Sequence, residues 1–322
     1  MNDFPVCVNI KLSNTKGDFF MIRQSAFTGT GKMLKGGLHC HTQRSDGNYT
    51  PEETIRVHKQ NGYDFLALTD HRKYNYINFA PETGITLIPG MEIDGTFDRE
   101  NGFRTYHTVC IGSDGESNGF SQDEEFICRD VKTSDDFQKY LDAVVAKNNL
   151  IFYCHPEWSG TPARYFENLK GYFAMEIWNS GCVIENNMDT NAAYWDELLG
   201  SGKKLWGVAV DDGHQPSHHC KGWVMVNAEN NVDAILDALK NGSFYSSTGP
   251  VIEDFYIEDG KVHVRAAEEC AYIWFCSDKH PSKQFINASE ASFDLKGEFT
   301  YIRAVIMDKD GHRAWTNPIF IK

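Results

Sequence analysis

From residue 36 onward the chain alternates short apolar runs with amphipathic stretches. "LHCHT" has the two-residue period of a strand, and Thr50 with Pro51, Glu52 and Glu53 opens a helix that Asn61-Gly62 stops. "DFLALTD", "ITLIPGMEI" and "YHTVCIG" read as strands, followed by a helix over 134–148, the strand "LIFYCHP" and the stretch "YFAMEIWNS". A helical stretch near 189–201, the strands "KLWGVAVDD" and "GWVMVN", and a helix near 231–241 complete this rhythm. Strands alternating with helices predict βα units and a mainly parallel sheet. Past "SSTGP" at 246–250 only strands follow, with turns at Asp259-Gly260 and Asp310-Gly311, which predicts a small antiparallel β domain. Residues 5–12 and 18–23 also read as strands. The expected organisation is an N-terminal β lead-in over 1–35, an α/β unit over 36–249 and the β domain over 250–322.

Several apolar runs end in a residue that can ligate a metal: His39 and His41, Asp70-His71, Glu92, His155, and Asp212 with His214. In barrels of parallel strands the functional side chains sit where strands give way to loops. On an extended chain His39 and His41 share a face and Cys40 points away, so the pair can grip one ion. Asp212 and His214 have the same spacing, and Asp211 lies off their face. Imidazoles bind zinc, iron or manganese, and carboxylates can bridge two ions while offsetting their charge. One such histidine alone is most simply a structural residue; five strand ends carrying ligand types point to a metal site.

Composition narrows the partners. A net charge of −14 argues against an extended nucleic-acid or anionic-membrane surface, although bound cations can still admit a small phosphate-bearing substrate. No apolar run approaches the roughly 18 residues of a membrane span, and the N-terminus lacks a basic region before an apolar stretch, so a cytoplasmic protein is expected. The nine cysteines form no CxxC pair and are expected to be reduced.

The segments "HCHTQRSDG", "ALTDH", "PGMEI", "YHTVCIG", "YCHP" and "DDGH", in this order across residues 37–214, resemble the PHP (polymerase and histidinol phosphatase) metallohydrolases. The Gly-Pro junction and β tail in "STGPVIEDFYIEDGKV" are most similar to the branch that includes the CehA/McbA-type enzymes. The resemblance implies an α/β fold, a distorted (βα)7 TIM-like barrel, with the C-terminal antiparallel β domain appended. It also implies two or three divalent ions, zinc, manganese or iron. One would take His39, His41, Glu92 and Asp212; a second would share Glu92 and add His107 and His155; a third would take Asp46, His71 and His214. Many relatives carry His where Asp46 stands, and the harder oxygen favours manganese or iron over zinc at that position.

Asp70 is expected either to orient His71 or a neighbouring backbone group, or to cap a turn. Asp94 reads as a loop carboxylate. His58, His263, His280 and His312 read as structural or exposed, and His218 and His219 as solvated loop residues near the rim. Arg44, Arg72, Lys73 and Arg164 fall in loops on the ligand-bearing side and could meet phosphate oxygens. Asp212, His214 and Arg164 are the candidate catalytic residues. The expected activity is hydrolysis of a small phosphomonoester or nucleotide by water that the ions activate. Two alternatives use the same residues differently: a carbamate, amide or ester hydrolase, and a noncatalytic module whose β tail binds a carbohydrate or protein.

Overall fold

The computed structural model describes residues 23–29, 31–97, 103–113, 120–279, 283–296 and 299–321. The expected strand at 5–12 and all but the last residue of that at 18–23 lie outside these residues. In chain order the first elements are β1 (Gln24–Ser25), β2 (Lys32–Gly37), α1 (Pro51–Gln60), β3 (Phe65–Ala67), β4 (Thr86–Ile88), β5 (Gly90–Phe97) and β6 (Arg104–Ile111). Next come α2 (Ser134–Val145), β7 (Leu150–Tyr153), α3 (Ala163–Phe166), β8 (Tyr172–Asn179), α4 (Ser180–Asn186), α5 (Asn191–Gly200) and β9 (Trp206–Val210). Then follow β10 (Trp223–Ala228), α6 (Val232–Lys240), β11 (Phe244–Ser247) and β12 (Ile252–Glu258). The chain closes with β13 (Lys261–Ser277), β14 (Lys283–Asp294), β15 (Tyr301–Met307), β16 (Arg313–Thr316) and β17 (Ile319–Phe320).

The helices begin where the sequence provides caps. The Thr50 hydroxyl accepts from the Glu53 N–H and the Glu53 carboxylate accepts from the Thr50 N–H, a reciprocal box that Thr133 and Asp136 repeat at α2. The short helices α3 and α4 are absent from the sequence reading, because four and seven residues carry too little amphipathic period to register.

The resemblance implies a closed barrel, whereas the described strands pair as two open sheets. One has five strands in the order β5-β6-β7-β8-β9; the other has twelve, running β1-β12-β13-β15-β16-β11-β10-β2-β3-β4 with β14 on β13 and β17 on β15. "ITLIPGMEI" is two strands rather than one. Pro89 has no N–H for a ladder, and the chain changes sheets across it, leaving β4 beside β3 and β5 beside β6.

Nor is the pairing mainly parallel. β5, β6 and β7 are antiparallel neighbours, while β7-β8-β9 and β2-β3-β4 are parallel. Only six residues separate Phe97 from Arg104, too few for a parallel crossover. The two sheets share a core in which Leu34, Phe65 and Ile88 from one meet Val109, Phe152, Ala174 and Val208 from the other.

The tail strands are antiparallel as expected, and they continue the large sheet because β16 pairs with β11. β1 pairs with β12, so the described end of the N-terminal lead-in joins the tail. A second core of Phe255, Val262, Ile273, Phe275 and Ile306 lies within these strands. No described helix is long and apolar enough to cross a membrane. All eight described cysteines are free.

Candidate metal centre

Past the end of β2 the chain stays extended, and the Nε2 atoms of His39 and His41 lie 3.1 Å apart on one side. Cys40 points the other way, into a core with Leu66 and Leu68, its thiol 3.4 Å from the Ala67 carbonyl. Four ligand-type atoms crowd one point: His39 Nε2, His41 Nε2, Glu92 Oε2 and Asp212 Oδ1. His39 lies 3.4 Å from Glu92 and 3.3 Å from Asp212; His41 lies 3.3 Å and 3.1 Å from the same oxygens. Ligands bound at about 2.0–2.1 Å to a tetrahedral ion stand about 3.3 Å from one another. Glu92 Oε2 and Asp212 Oδ1 are buried and accept no hydrogen bond. Orphaned carboxylate oxygens cost free energy unless something positive meets them, so this donor set fits a divalent ion.

The other oxygens lead to the second group. Glu92 Oε1 is 2.7 Å from His107 Nδ1 and 3.3 Å from His155 Nε2, and Asp212 Oδ2 is 3.7 Å from the same His155 nitrogen. Around Asp46 a third group gathers, with His71 Nε2 at 3.6 Å, His214 Nε2 at 3.5 Å and His41 Nδ1 at 3.4 Å. Thus His41 reaches both the first and third groups, and its ring stacks on His214 with centroids 4.0 Å apart. His71 also belongs to two groups, since its Nδ1 is 3.0 Å from Glu92 Oε2. All nine residues singled out as metal ligands meet here.

Their placement departs from the strand-end rule at two points. Glu92 stands near the start of β5, and His107 within β6, where the antiparallel register sets it opposite Asp94. The other ligands come from the segments after β2, β3, β7 and β9. His155 and Asp212 take left-handed φ angles of 25° and 48°, a conformation that costs an L-residue of order 1–3 kcal/mol and is held by surrounding contacts. The loop carrying Asp46 closes on itself at Gly47, where a Cβ would come within 2.5 Å of the His41 backbone.

Electrostatics follow from crowding. Burial would raise the carboxyl of Glu92, yet His107, His71 and His39 hold it well below the usual carboxylate range; Asp212 is held low in the same way by His39 and His41. Burial pushes His39 down, but Asp212, Glu92 and Glu176 raise it to about 10. His71, by contrast, is lowered to about 4, chiefly by burial. The floor of His39, His41 and Glu92 is closed to solvent, while the side chains of Asp46, His214 and His71 are 52%, 28% and 21% exposed and form the mouth.

Two supporting residues escape the sequence reading. Glu176 on β8 places Oε1 2.6 Å from His39 Nδ1, and its Oε2 accepts from the His155 N–H and from Asn179 Nδ2. The same Asn179 amide donates to Asp212 Oδ2 at 3.0 Å. A charged residue inside the apolar run "YFAMEIWNS" was the available signal. Trp158, partly exposed, sets its edge against His107 and His155 at 5.6 Å and 5.1 Å, with Phe103 beyond it.

Other expectations change. Of the roles expected for Asp70, the structure gives the one on backbone and turn and not the one on His71: it accepts from the Thr42 and Ser45 N–H groups, both their hydroxyls, and Asn75. It is therefore a buried turn-organising carboxylate. Asp94 is a strand residue in a two-pronged pair with Arg72, at 2.7 Å and 2.8 Å. Arg44 is bound to Asn75, the Gln122 carbonyl and Asp123, and Lys73 donates to the Arg44 carbonyl. Arg164 is exposed on α3 with its guanidinium over the Tyr165 ring, and no hydrogen bond or ion pair among the described residues ties it to the centre.

His218 and His219 are buried rather than solvated, because their loop folds back under the mouth: His218 Nδ1 faces the His214 and Gln215 N–H groups. His58 is a buried helix residue, His263 stacks on Tyr256 and His312 pairs with Asp308. His280 lies outside the described residues.

Among known proteins, a 5'-3' exoribonuclease of Haemophilus influenzae is 38% identical over 68 residues, 20% of this chain; the chain covers 25% of the length of that curated relative. A two-domain protein of Bacteroides vulgatus, containing a predicted PHP-like metal-dependent phosphoesterase, superposes with a TM-score of 0.45 at 16% identity, over 95% of this chain and 99% of that one. An amidohydrolase of Chromobacterium violaceum gives 0.39 at 17% identity, over 56% and 88%. Likenesses of that size leave the substrate open. The PHP domain family model matches residues 37–246, about two thirds of the sequence and the whole of the histidine and carboxylate cluster, and the chain belongs to that family.

Proposed function

We propose that this chain is a metal-dependent hydrolase that cleaves a phosphate ester of a small molecule or nucleotide, with His39, His41, Asp46, His71, Glu92, His107, His155, Asp212 and His214 as the metal ligands. The observation that carries the reading is the near-tetrahedral spacing of His39, His41, Glu92 and Asp212 around orphaned carboxylate oxygens. Bound there, divalent ions would supply the Lewis acidity that brings a water's pKa near neutrality and neutralises phosphate oxygens.

The chain's own residues do the positioning. Glu176 accepts a hydrogen bond from the Nδ1–H of His39 and so turns its Nε2 lone pair inward; the Asp212 carbonyl does the same for His214 at 3.0 Å. Asp212, buried, and His214, at the mouth, would act in catalysis as ligands: with Nδ1 given to the Asp212 carbonyl, His214 Nε2 faces Asp46 and, holding an ion there, keeps no lone pair for a proton. The rings of Trp158 and Phe103 shield one side from water and offer an apolar wall to the leaving group. Because Arg44, Arg72 and Lys73 are occupied by protein partners, phosphate charge is met at the Asp46 group rather than by those side chains. The local likeness to a 5'-3' exoribonuclease supports phosphoric ester chemistry, and the charge of −14 favours a short substrate over a long nucleic acid.

The test is a screen of the metal-loaded protein against phosphomonoesters, 3',5'-bisphosphates, short oligonucleotides and aryl carbamates. Release of phosphate or mononucleotide is expected. Phenol released from carbamates, with no phosphorus-containing product from any ester, would overturn the proposal.

A further inference from the structure

A second set of metal-ligating side chains lies behind the mouth, on the far side of the Asp211-Asp212 pair. His58 on α1, Asp211 after β9 and His219 in the following loop are all buried, and one ligand atom from each lies within 4.8 Å of the others. Asp211 is fixed in place: Oδ1 accepts from the Lys221 and Gly222 N–H groups and the Ser180 hydroxyl, and Oδ2 from the Cys220 N–H at 2.7 Å.

His58 Nδ1 is 2.8 Å from the Thr54 carbonyl, to which it must donate. The neutral ring then presents the lone pair of Nε2 to Asp211 Oδ2, 3.3 Å away. Two acceptors facing each other require a positive centre between or beside them, either a proton on His58 or a metal ion. His219 decides between these. It is 4% exposed, and neither ring nitrogen has a hydrogen-bond partner. A proton on His58 would leave that second imidazole orphaned and place a buried cation 5.4 Å from its ring centroid, whereas an ion shared by all three side chains satisfies each of them.

We infer that His58, Asp211 and His219 form a separate structural zinc site, distinct from the hydrolytic centre. Two imidazoles and a carboxylate in a buried setting are zinc ligands; with a water in the fourth position, binding there would add folding free energy. It would tie α1 to the end of β9 and to the 211–222 segment, from which Asp212 and His214 project. Gly213 packs so closely on His219 that a Cβ there would come within 2.5 Å of the ring, so fixing His219 fixes that loop.

Zinc content by mass spectrometry, in the full chain after chelation and zinc dialysis, tests the inference. His219→Ala is expected to lose one equivalent per chain, both alone and in a Glu92→Gln/His41→Ala background that disables the hydrolytic centre. In that background zinc is expected to raise Tm, and the shift to vanish with His219→Ala. Unchanged zinc content in His219→Ala would overturn the site. Should that variant not fold, anomalous diffraction at the zinc edge from Glu92→Gln/His41→Ala crystals decides: a peak between the three side chains supports it, and none there overturns it.

Discussion

His39 Nδ1 lies 2.6 Å from Glu176 Oε1, both side chains fully buried, so an acidic residue on the middle strand of a parallel trio sets the orientation of a histidine at the end of a different sheet. The other Glu176 oxygen holds the His155 N–H, in a residue whose left-handed backbone needs such a restraint. Glu176→Gln keeps the size but loses the charge that strengthens His39 as a ligand. Loss of an outer partner of this kind weakens metal binding by about 10–100-fold. Chelator competition measures it, with Tm of the metal-free protein as the control for folding.

Asp70 predicts a different phenotype. Its buried carboxylate gathers the Thr42 and Ser45 N–H groups, both hydroxyls and the Asn75 amide, and thereby shapes the loop between His41 and Asp46. Asp70→Ala leaves several of these donors unmet at about 1–3 kcal/mol each, so a loss of about 3 kcal/mol or more is expected. Urea unfolding reads it directly. Asp70→Asn, which keeps one acceptor oxygen, is expected to lose less.

The contrast between these two carboxylates shows what the sequence makes legible. Asp70 sits in a motif beside His71, and only the three-dimensional loop reveals that it serves backbone donors rather than that imidazole. Glu176 has no motif at all; its partner is 137 positions away, and pairings across sheets leave no local trace. Seven of the nine ligand-type residues, His39, His41, His71, Glu92, His155, Asp212 and His214, were visible because they close apolar runs, a property of sequence alone, and Asp46 and His107 through the motifs of the resemblance. The resemblance also implied the three groups in which they stand; what it left out is that His41 and His71 each face two of them through opposite ring nitrogens.

The same holds for the fold. Helices with Thr caps and alternating strands could be read locally, whereas the antiparallel β5-β6 pair depends on Pro89 sending the chain into a second sheet. The buried state of His219 likewise depends on a loop folding back onto Gly213, which neither polarity nor periodicity encodes.

Cys40 stands between two candidate ligands yet belongs to the core, packed with Ile55, Leu66 and Leu68 and donating to the Ala67 carbonyl. Cys40→Ser is expected to leave metal content unchanged. A stability cost of about 1 kcal/mol is expected from exchanging a buried apolar thiol for a hydroxyl with one available acceptor. Loss of a metal equivalent would contradict the alternation of side chains through residues 39–41.

The junction of the tail with α5 offers the last prediction. Arg303 on β15 is 3% exposed and makes a two-pronged pair with Asp196 at 2.9 Å and 2.6 Å, its guanidinium over the Trp195 ring. Its remaining nitrogen, Nη1, is buried without a partner. Removing one member of such a pair strands a buried charge, which costs about 3–5 kcal/mol when both are buried; because Asp196 is 41% exposed, about 2 kcal/mol is expected for Asp196→Ala. Arg303→Met removes the charge together with its unmet nitrogen and leaves an apolar chain against Trp195, so its effect is expected to be within about 1 kcal/mol of zero. Denaturant unfolding of both variants and the double mutant separates charge from packing. A larger loss in Arg303→Met than in Asp196→Ala would mean that the guanidinium stabilises through its stacking on Trp195, and that desolvation of the charge is the smaller effect.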